Sequence, residues 1–119
     1  SSTNQRRMEM EPVSRHLGDY LLSHVNEQAY CLFATTYLHI NVVSDFRMRR
    51  NAEYYSADGT SVVKGMKIIP CQTSEIKTII KEKITYAKLY SIFQRAYHSS
   101  AAPNVWYEKE IKDKVVEGI

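Results

Sequence analysis

Residues 76–98 read IKTIIKEKITYAKLYSIFQRAYH, and this stretch decides the predicted fold. It contains neither proline nor glycine, and its apolar residues recur every three or four positions, which is the spacing of one helix face. A helix of about 23 residues is roughly 35 Å long, enough to lie across a small sheet. The apolar face of this predicted helix comprises Ile76, Ile79, Ile80, Ala87, Tyr90 and Tyr97.

Upstream of this helix, short segments have the pattern of β-strands. Residues 37–43 (YLHINVV) and 46–50 (FRMRR) alternate apolar and polar side chains, as a half-buried strand does. Asp58-Gly59 predicts a hairpin, because glycine accepts the positive φ of the turn. The returning strand is expected to break at Gly65.

Turn signals mark the ends of these elements. Pro70 is expected to end the sheet section, and Thr73 or Ser74 is expected to cap the long helix. Connections this short predict an antiparallel sheet, because a parallel sheet needs long crossovers.

The predicted fold class is α+β. An antiparallel sheet of about five or six strands carries one long carboxyl-terminal helix packed across it. Residues 12–25 predict a short amphipathic helix before the sheet, and residues 104–117 predict a short helix or a docked tail. The expected organisation is a flexible lead-in (1–11), one domain (12–98) and a terminal segment (99–119).

The composition is that of an ordinary globular chain. Of 119 residues, 44% are hydrophobic and 24% are charged, which argues against general disorder. No run approaches the roughly 20 apolar residues that a membrane span needs, so no membrane partner is expected. Cys31 and Cys71 are too few for a disulfide framework. We therefore expect a reduced, intracellular protein with buried thiols, one buried bridge being the alternative.

Catalytic and metal-binding motifs are not evident. The four histidines are not spaced as metal ligands, either with each other or with the cysteines. His39 is expected on a solvated strand face, with a general base as the alternative, and Asp45 and Asp58 are expected to bond turn backbone. The sequence therefore predicts no enzyme, no cofactor and no metal site.

Four stretches of the sequence occur in an order and spacing that can be compared with a known domain. They are residues 37–45 (YLHINVVSD), 46–48 (FRM), 53–60 (EYYSADGT) and 79–97 (IIKEKITYAKLYSIFQRAY). In this order and spacing they resemble the polo box, the non-catalytic binding module of polo-like serine/threonine kinases. The resemblance covers residues 28–98. It implies a domain that docks a kinase on a scaffold protein, in the cytoplasm at the centrosome or centriole.

The resemblance does not extend to phosphopeptide binding. In mitotic polo kinases, a tryptophan on one box and a histidine–lysine pair on the other hold the phosphopeptide. The positions of the pair here are Phe46 and Met48, and Trp106 lies beyond the helix. The chain is most similar to the solitary carboxyl-terminal box of the centriole-duplication polo-like kinase, which implies a helical scaffold segment as partner.

Two groups of residues are candidates for binding that partner. Leu89 and Ile92 lie opposite the apolar face of the predicted helix, so either the tail bearing Trp106 or a partner helix covers them. A second copy of the chain is an alternative partner. The basic residues that could steer an acidic partner, or simply form a solvated face, are Lys81, Lys88 and Arg95 on the helix, with Arg47 and Arg49 before the hairpin.

A small nucleic-acid-binding α+β domain is the alternative function. In that hypothesis the arginines around position 49 contact phosphates. The chain has 16 basic and 13 acidic side chains, a net charge of +3. Because this excess is small, nucleic acid is not expected to be the main partner.

Overall fold

The computed structural model describes residues 11–24 and 27–117. In order, the elements are α1 (Glu11–Ser23), β1 (Cys31–Thr35), α2 (Ile40–Met48) with a 3₁₀ turn (Arg49–Asn51), β2 (Glu53–Tyr55), β3 (Val62–Lys64), β4 (Ile68–Gln72), α3 (Thr73–Lys81), α4 (Tyr86–His98), α5 (Pro103–Trp106), a π-helix (Tyr107–Lys112) and α6 (Asp113–Glu117). The predicted lead-in lies outside these residues except for Glu11, which begins α1. None of the helices in the described ranges is long and apolar enough to cross a membrane.

The fold is α+β, as predicted, but the sheet of five or six strands is wrong. The described residues form two sheets of two strands each. Strand β1 pairs in parallel with β4, and β2 pairs antiparallel with β3. The chain between β1 and β4 contains α2 and the hairpin. This segment supplies the long crossover that a parallel pair requires.

The strands predicted over residues 37–43 and 46–50 are wrong, because this segment forms α2. Its buried side chains include Val42, Val43 and Phe46, and Leu38 is buried just before it. Positions 38, 42 and 46 are four residues apart, so they satisfy both the alternation of a strand and the repeat of a helix. The alternation alone therefore could not separate the two structures.

The single helix predicted over residues 76–98 is also wrong. It is divided into α3 and α4 by residues 82–85, where Lys83 has a φ of 52°, outside the right-handed helical region. Thr85 begins the second helix, since its hydroxyl accepts a hydrogen bond from the Lys88 amide at 3.2 Å. Ile80, expected in the buried face, is 71% exposed.

The hairpin predicted at Asp58-Gly59 is confirmed. Gly59 has a φ of 75° between β2 and β3, and Gly65, with a φ of 85°, breaks the returning strand as expected. Pro70 does not end the sheet, because it lies inside β4. The predicted cap at Thr73 or Ser74 is wrong as well: residue 72 holds the cap position of α3.

The core is built around β4, whose residues 68–71 are all buried. Helices α2, α3 and α4 pack against it. The terminal segment docks on the same core through Trp106, Ile111 and Val115, each at most 2% exposed. The indole Nε1 of Trp106 donates to the Ala96 carbonyl at 2.7 Å. The terminal segment is therefore helical and docked, the two forms that the sequence left open.

Candidate nucleic-acid interface

Arg47, one of the predicted binding residues, is buried rather than exposed. Its Nε donates to the Ala101 carbonyl at 3.3 Å, its Nη2 donates to the Ser99 and Ala101 carbonyls, and its guanidinium lies 5.3 Å from the Trp106 ring centroid. Burial, followed by the charge of Arg50, lowers the pKa of Arg47. This side chain therefore fastens the connection between α4 and α5.

The other two arginines of the cluster differ from each other. Arg50 also donates to the Ser99 carbonyl. Arg49 is partly exposed and borders an open groove with Asp45 and Met48. Among residues 11–24 and 27–117, no group accepts a hydrogen bond from its guanidinium. Of this cluster, Arg49 is therefore the side chain that remains available to a ligand.

Helix α4 has an exposed face without a single carboxylate. Three residues of the helix, Ile92, Phe93 and Ala96, are buried against the core. At 100° per residue, the exposed face is bounded on one edge by Lys88 and Arg95 and on the other by Tyr86. Between these edges lie the exposed residues Ala87, Ser91, Gln94 and His98, with the half-buried Tyr90 and Tyr97 next to Tyr86. We call this surface the α4 face.

The cationic edge of the α4 face borders a groove of about 190 Å³. Lys88, Ser91 and Arg95 form one wall, and Lys114 and Glu117 of α6 form the other. Lys114 is paired with Glu117 at 3.1 Å. Lys88 and Arg95 form no ion pair with any residue that the structure describes, so their charges are open to an external anion.

The lysines of the π-helix contrast with those of α4. Lys109 pairs with Asp113 at 3.4 Å, and Lys112 pairs with Glu108 at 3.8 Å. These charges are largely compensated within the terminal segment. Among the described residues, Lys88 and Arg95 are therefore more available to an external anion than the paired lysines of the π-helix.

The other edge of the α4 face opens into a pocket of about 310 Å³. We call it the tyrosine pocket, after Tyr20, Tyr30, Tyr86 and Tyr90 in its lining. The rings of Tyr30 and Tyr90 meet edge to face with centroids 5.3 Å apart, and the Tyr86 ring centroid is 6.3 Å from that of Tyr90. No local sequence pattern indicates this pocket, because its walls come from α1, the loop before β1 and α4.

The remaining predicted binding residues do not form one surface. Ile92 and Trp106 are buried in the core, at 8% and 2% exposure, and the terminal segment packs over this side of α4. Leu89 is half-buried in the lining of the tyrosine pocket. The structure places Lys88 and Arg95 together on α4, whereas Lys81 lies on α3, beyond the break at residues 82–85.

Both cysteines are free thiols. Burial, with a smaller contribution from Glu75, raises the pKa of Cys71 to about 12, and burial raises the pKa of Cys31. A thiol with such a pKa is not a nucleophile near neutral pH. The cysteines therefore contribute packing rather than chemistry.

Comparison with known proteins identifies the family. Residues 1–79, about two thirds of the chain, match the AlwI restriction endonuclease family. The chain belongs to this family. No curated protein and no solved structure matches the chain. The match ends within α3, so the α4 face lies beyond the matched residues.

Membership of the AlwI restriction endonuclease family overturns several predictions. The polo-box identity is wrong, and with it the kinase, the scaffold partner and the role in centriole duplication. The prediction of a non-enzyme is wrong, because the family is one of DNA-cleaving enzymes. The expectation that nucleic acid is not the main partner is also wrong, because the substrate of such enzymes is DNA.

Nucleases commonly hold divalent cations that activate water and stabilise the leaving oxygen. In the ranges that the structure describes, no three His, Cys, Asp or Glu residues form a group that could hold a metal ion. Glu75 is buried, and its carboxylate accepts hydrogen bonds from the Tyr107 and Ser74 hydroxyls and from the backbone N–H of Gln72. These residues do not fit a metal centre, and we derive no metal-dependent step.

Proposed function

We propose that the chain acts on DNA as part of a restriction endonuclease and that the α4 face is a DNA-contact surface. The family match carries the assignment to DNA. The assignment of the surface is independent of that match, since it rests on charges and exposure in α4. This proposal takes up the nucleic-acid alternative but moves its main contacts from the arginines near residue 49 to α4.

The distribution of charge supports this surface. Residues 76–98 contain five basic side chains and one acidic side chain, whereas the rest of the sequence contains 11 basic and 12 acidic ones. The excess of positive charge therefore lies in this segment alone. Cations that neutralise DNA phosphates release bound counterions, which supplies much of the affinity of a DNA-binding protein.

The dimensions and side chains of α4 also suit DNA. Thirteen residues give a helix about 20 Å long, and the major groove of B-DNA, about 12 Å wide, admits a helix. Gln94 and Arg95 are adjacent residues of the types that bond the edges of adenine and guanine, respectively. Lys88, seven residues before Arg95, is placed to contact a phosphate.

The test is fluorescence anisotropy with a labelled DNA duplex at several salt concentrations. The wild-type chain should bind, with log K falling linearly against log salt. Lys88→Gln with Arg95→Gln should lower the affinity about tenfold or more and reduce the salt slope by about one for each phosphate that the variant no longer neutralises. Circular dichroism should show an unchanged fold, since both side chains are exposed.

Lys109→Gln with Lys112→Gln is the matched control. It also removes two positive charges, but from lysines that already have acidic partners. The control should keep the affinity within about threefold of the wild-type value. An equal loss in both double variants would reject α4 as the contact surface, and no binding by the wild-type chain would reject the proposed function.

A further inference from the structure

The tyrosine pocket has an open aromatic ring that the packing of the protein does not explain. Tyr86 is 81% exposed, and its ring contact within the described residues is with Tyr90. Tyr90, Tyr30 and Phe93 form the covered part of the same aromatic cluster. An exposed aromatic ring next to other aromatic rings presents a flat surface on which another planar group can stack.

The cations near the pocket lie in an adjoining groove, whereas the lining of the pocket itself includes a carboxylate. The Lys67 ammonium lies 5.3 Å from the Tyr30 ring centroid, and Lys67 also borders an adjoining groove of about 260 Å³ with Lys64. The carboxylate in the pocket lining belongs to Glu27, and the Tyr20 hydroxyl donates a hydrogen bond to it. A planar ring can therefore lie in the pocket while an anionic group attached to it lies in the adjoining groove near Lys64 and Lys67.

A polar edge completes the lining. Gln28 borders both the pocket and the adjoining groove, and its amide offers both a donor and an acceptor. Burial, followed by electrostatic interaction with Tyr90 and Tyr97, raises the pKa of Tyr30 above that of an ordinary tyrosine, which is itself neutral at physiological pH. Beside the Glu27 carboxylate, the pocket thus offers stacking rings and the neutral hydrogen-bonding groups of Gln28 and Tyr30.

We propose that the tyrosine pocket binds a nucleobase that has left the DNA stack, with Tyr86 as the stacking surface. The inference rests on the proposed function and adds to it that the chain recognises unstacked DNA. Every nucleobase has a π-face, so stacking on tyrosine tolerates any sequence. The phosphates that flank such a base carry the negative charge that Lys64 and Lys67 attract.

The test compares two single strands of equal length and equal charge. One is oligothymidine of 15 nucleotides, and the other is an abasic 15-mer with the same phosphates. The wild-type chain should bind oligothymidine about fivefold more tightly or better, the equivalent of about 1 kcal/mol for one stacked base. Tyr86→Ala should abolish this preference, and Tyr86→Phe should keep it because the ring remains.

Tyr55→Ala is the control for loss of an exposed ring elsewhere. Tyr55 is 55% exposed on the hairpin, and its removal should leave the preference unchanged. Equal binding of the two strands, or a preference that survives Tyr86→Ala, would overturn the inference. The proposed function would still stand if binding to duplex DNA depended on Lys88 and Arg95. Absence of binding to both strands and to duplex DNA would overturn both. Sedimentation tests a second copy of the chain as the occupant. If the wild type is a dimer that Tyr86→Ala dissociates, and the preference for oligothymidine is unchanged, the pocket binds a second copy instead.

Discussion

Arg47 and Arg49 are two positions apart, yet they face different environments. Arg47 points inward, and its guanidinium satisfies the backbone carbonyls of Ser99 and Ala101. Arg49 is partly exposed, without an acceptor among the described residues. In a helix, residues two apart do not share a face, which is why a cluster of arginines in sequence is not a cluster in space.

This contrast predicts that mutation affects stability at Arg47 but not at Arg49. Arg47→Lys should destabilise the fold by about 1.5–3 kcal/mol, because lysine lacks the forked donors that reach two carbonyls. Arg49→Lys should change stability by less than about 0.5 kcal/mol. Urea denaturation of both variants measures the difference. Equal stabilities would show that the contacts of Arg47 contribute nothing to the fold.

Asp58 gives the hairpin turn a pH dependence. Its carboxylate accepts hydrogen bonds from the Thr60 amide at 3.1 Å and from the Ser56 and Thr60 hydroxyls at 2.8 Å. These bonds, the amide first, lower the pKa of Asp58 to about 2. The native state therefore binds this proton less readily than the unfolded chain, whose aspartates titrate near pH 3.9.

The stabilisation by Asp58 should accordingly be complete above about pH 4 and disappear as the pH falls through about 2. The difference in unfolding free energy between the wild type and Asp58→Ala, followed by urea denaturation from pH 6 downward, should shrink over this range. Ser56→Ala should raise the pKa of Asp58, as NMR titration of its carboxyl carbon would show. A difference independent of pH would mean that the turn does not depend on the ionised form.

Among the elements, α1 and the hairpin are joined by a contact that only glycine permits. A Cβ on Gly18 would lie 2.4 Å from the Cδ1 atom of Tyr54. The Tyr54 hydroxyl donates to the Asp19 carboxylate at 2.8 Å on the same helix. A glycine inside a helix costs about 1 kcal/mol relative to alanine, whereas at position 18 the structure gives it a packing role.

A double-mutant cycle separates these two effects. Gly18→Ala should destabilise the wild-type chain by about 1–3 kcal/mol, because the clash exceeds the gain of about 1 kcal/mol in helix propensity. With Tyr54→Ala already present, Gly18→Ala should instead stabilise the chain by up to about 1 kcal/mol. Thermal or urea unfolding of the four proteins gives the coupling. An identical effect of Gly18→Ala in both backgrounds would rule out the contact.

Elements with a strong local signal were predictable, and those set by distant contacts were not. The hairpin at Gly59 and the break at Gly65 follow from the local freedom of glycine. Helix α2 was not predicted because its apolar spacing fits both the two-residue repeat of a strand and the 3.6-residue repeat of a helix. The end of α3 was not predicted because Thr85 can cap a new helix only when Lys83 adopts a non-helical φ. In the candidate interface, Lys88 and Arg95 follow from helical spacing, but the tyrosine pocket depends on tertiary packing.

At the scale of the whole molecule, net charge was a poor guide to function. The value of +3 averages a basic segment, residues 76–98, with a slightly acidic remainder. A DNA-binding surface depends on the local field rather than on the average. The same reasoning would apply to any small chain in which one helix carries the positive charge.

The terminal segment decides how much of the chain must be present for folding. The sequence predicted a domain that ends at residue 98, yet Trp106, Ile111 and Val115 lie in the core. Burial of each such side chain contributes about 1.5–3 kcal/mol, so together they supply roughly 4.5–9 kcal/mol of a total stability that is about 5–15 kcal/mol in most domains. Truncation after His98 would also remove both carbonyl acceptors of Arg47, at Ser99 and Ala101, and expose Ala96.

We therefore expect the chain truncated after His98 to lose its cooperative unfolding transition, as measured by circular dichroism. Two adjacent valines provide a milder test in the intact chain. Val115→Ala, at a position with 0% exposure, should cost about 1.5 kcal/mol or more, whereas Val116→Ala, at 56% exposure, should cost less than about 0.5 kcal/mol. If the truncated chain unfolds cooperatively at the wild-type midpoint and both valine variants are neutral, residues 12–98 form the domain on their own. The terminal segment would then add only a removable cover over α4.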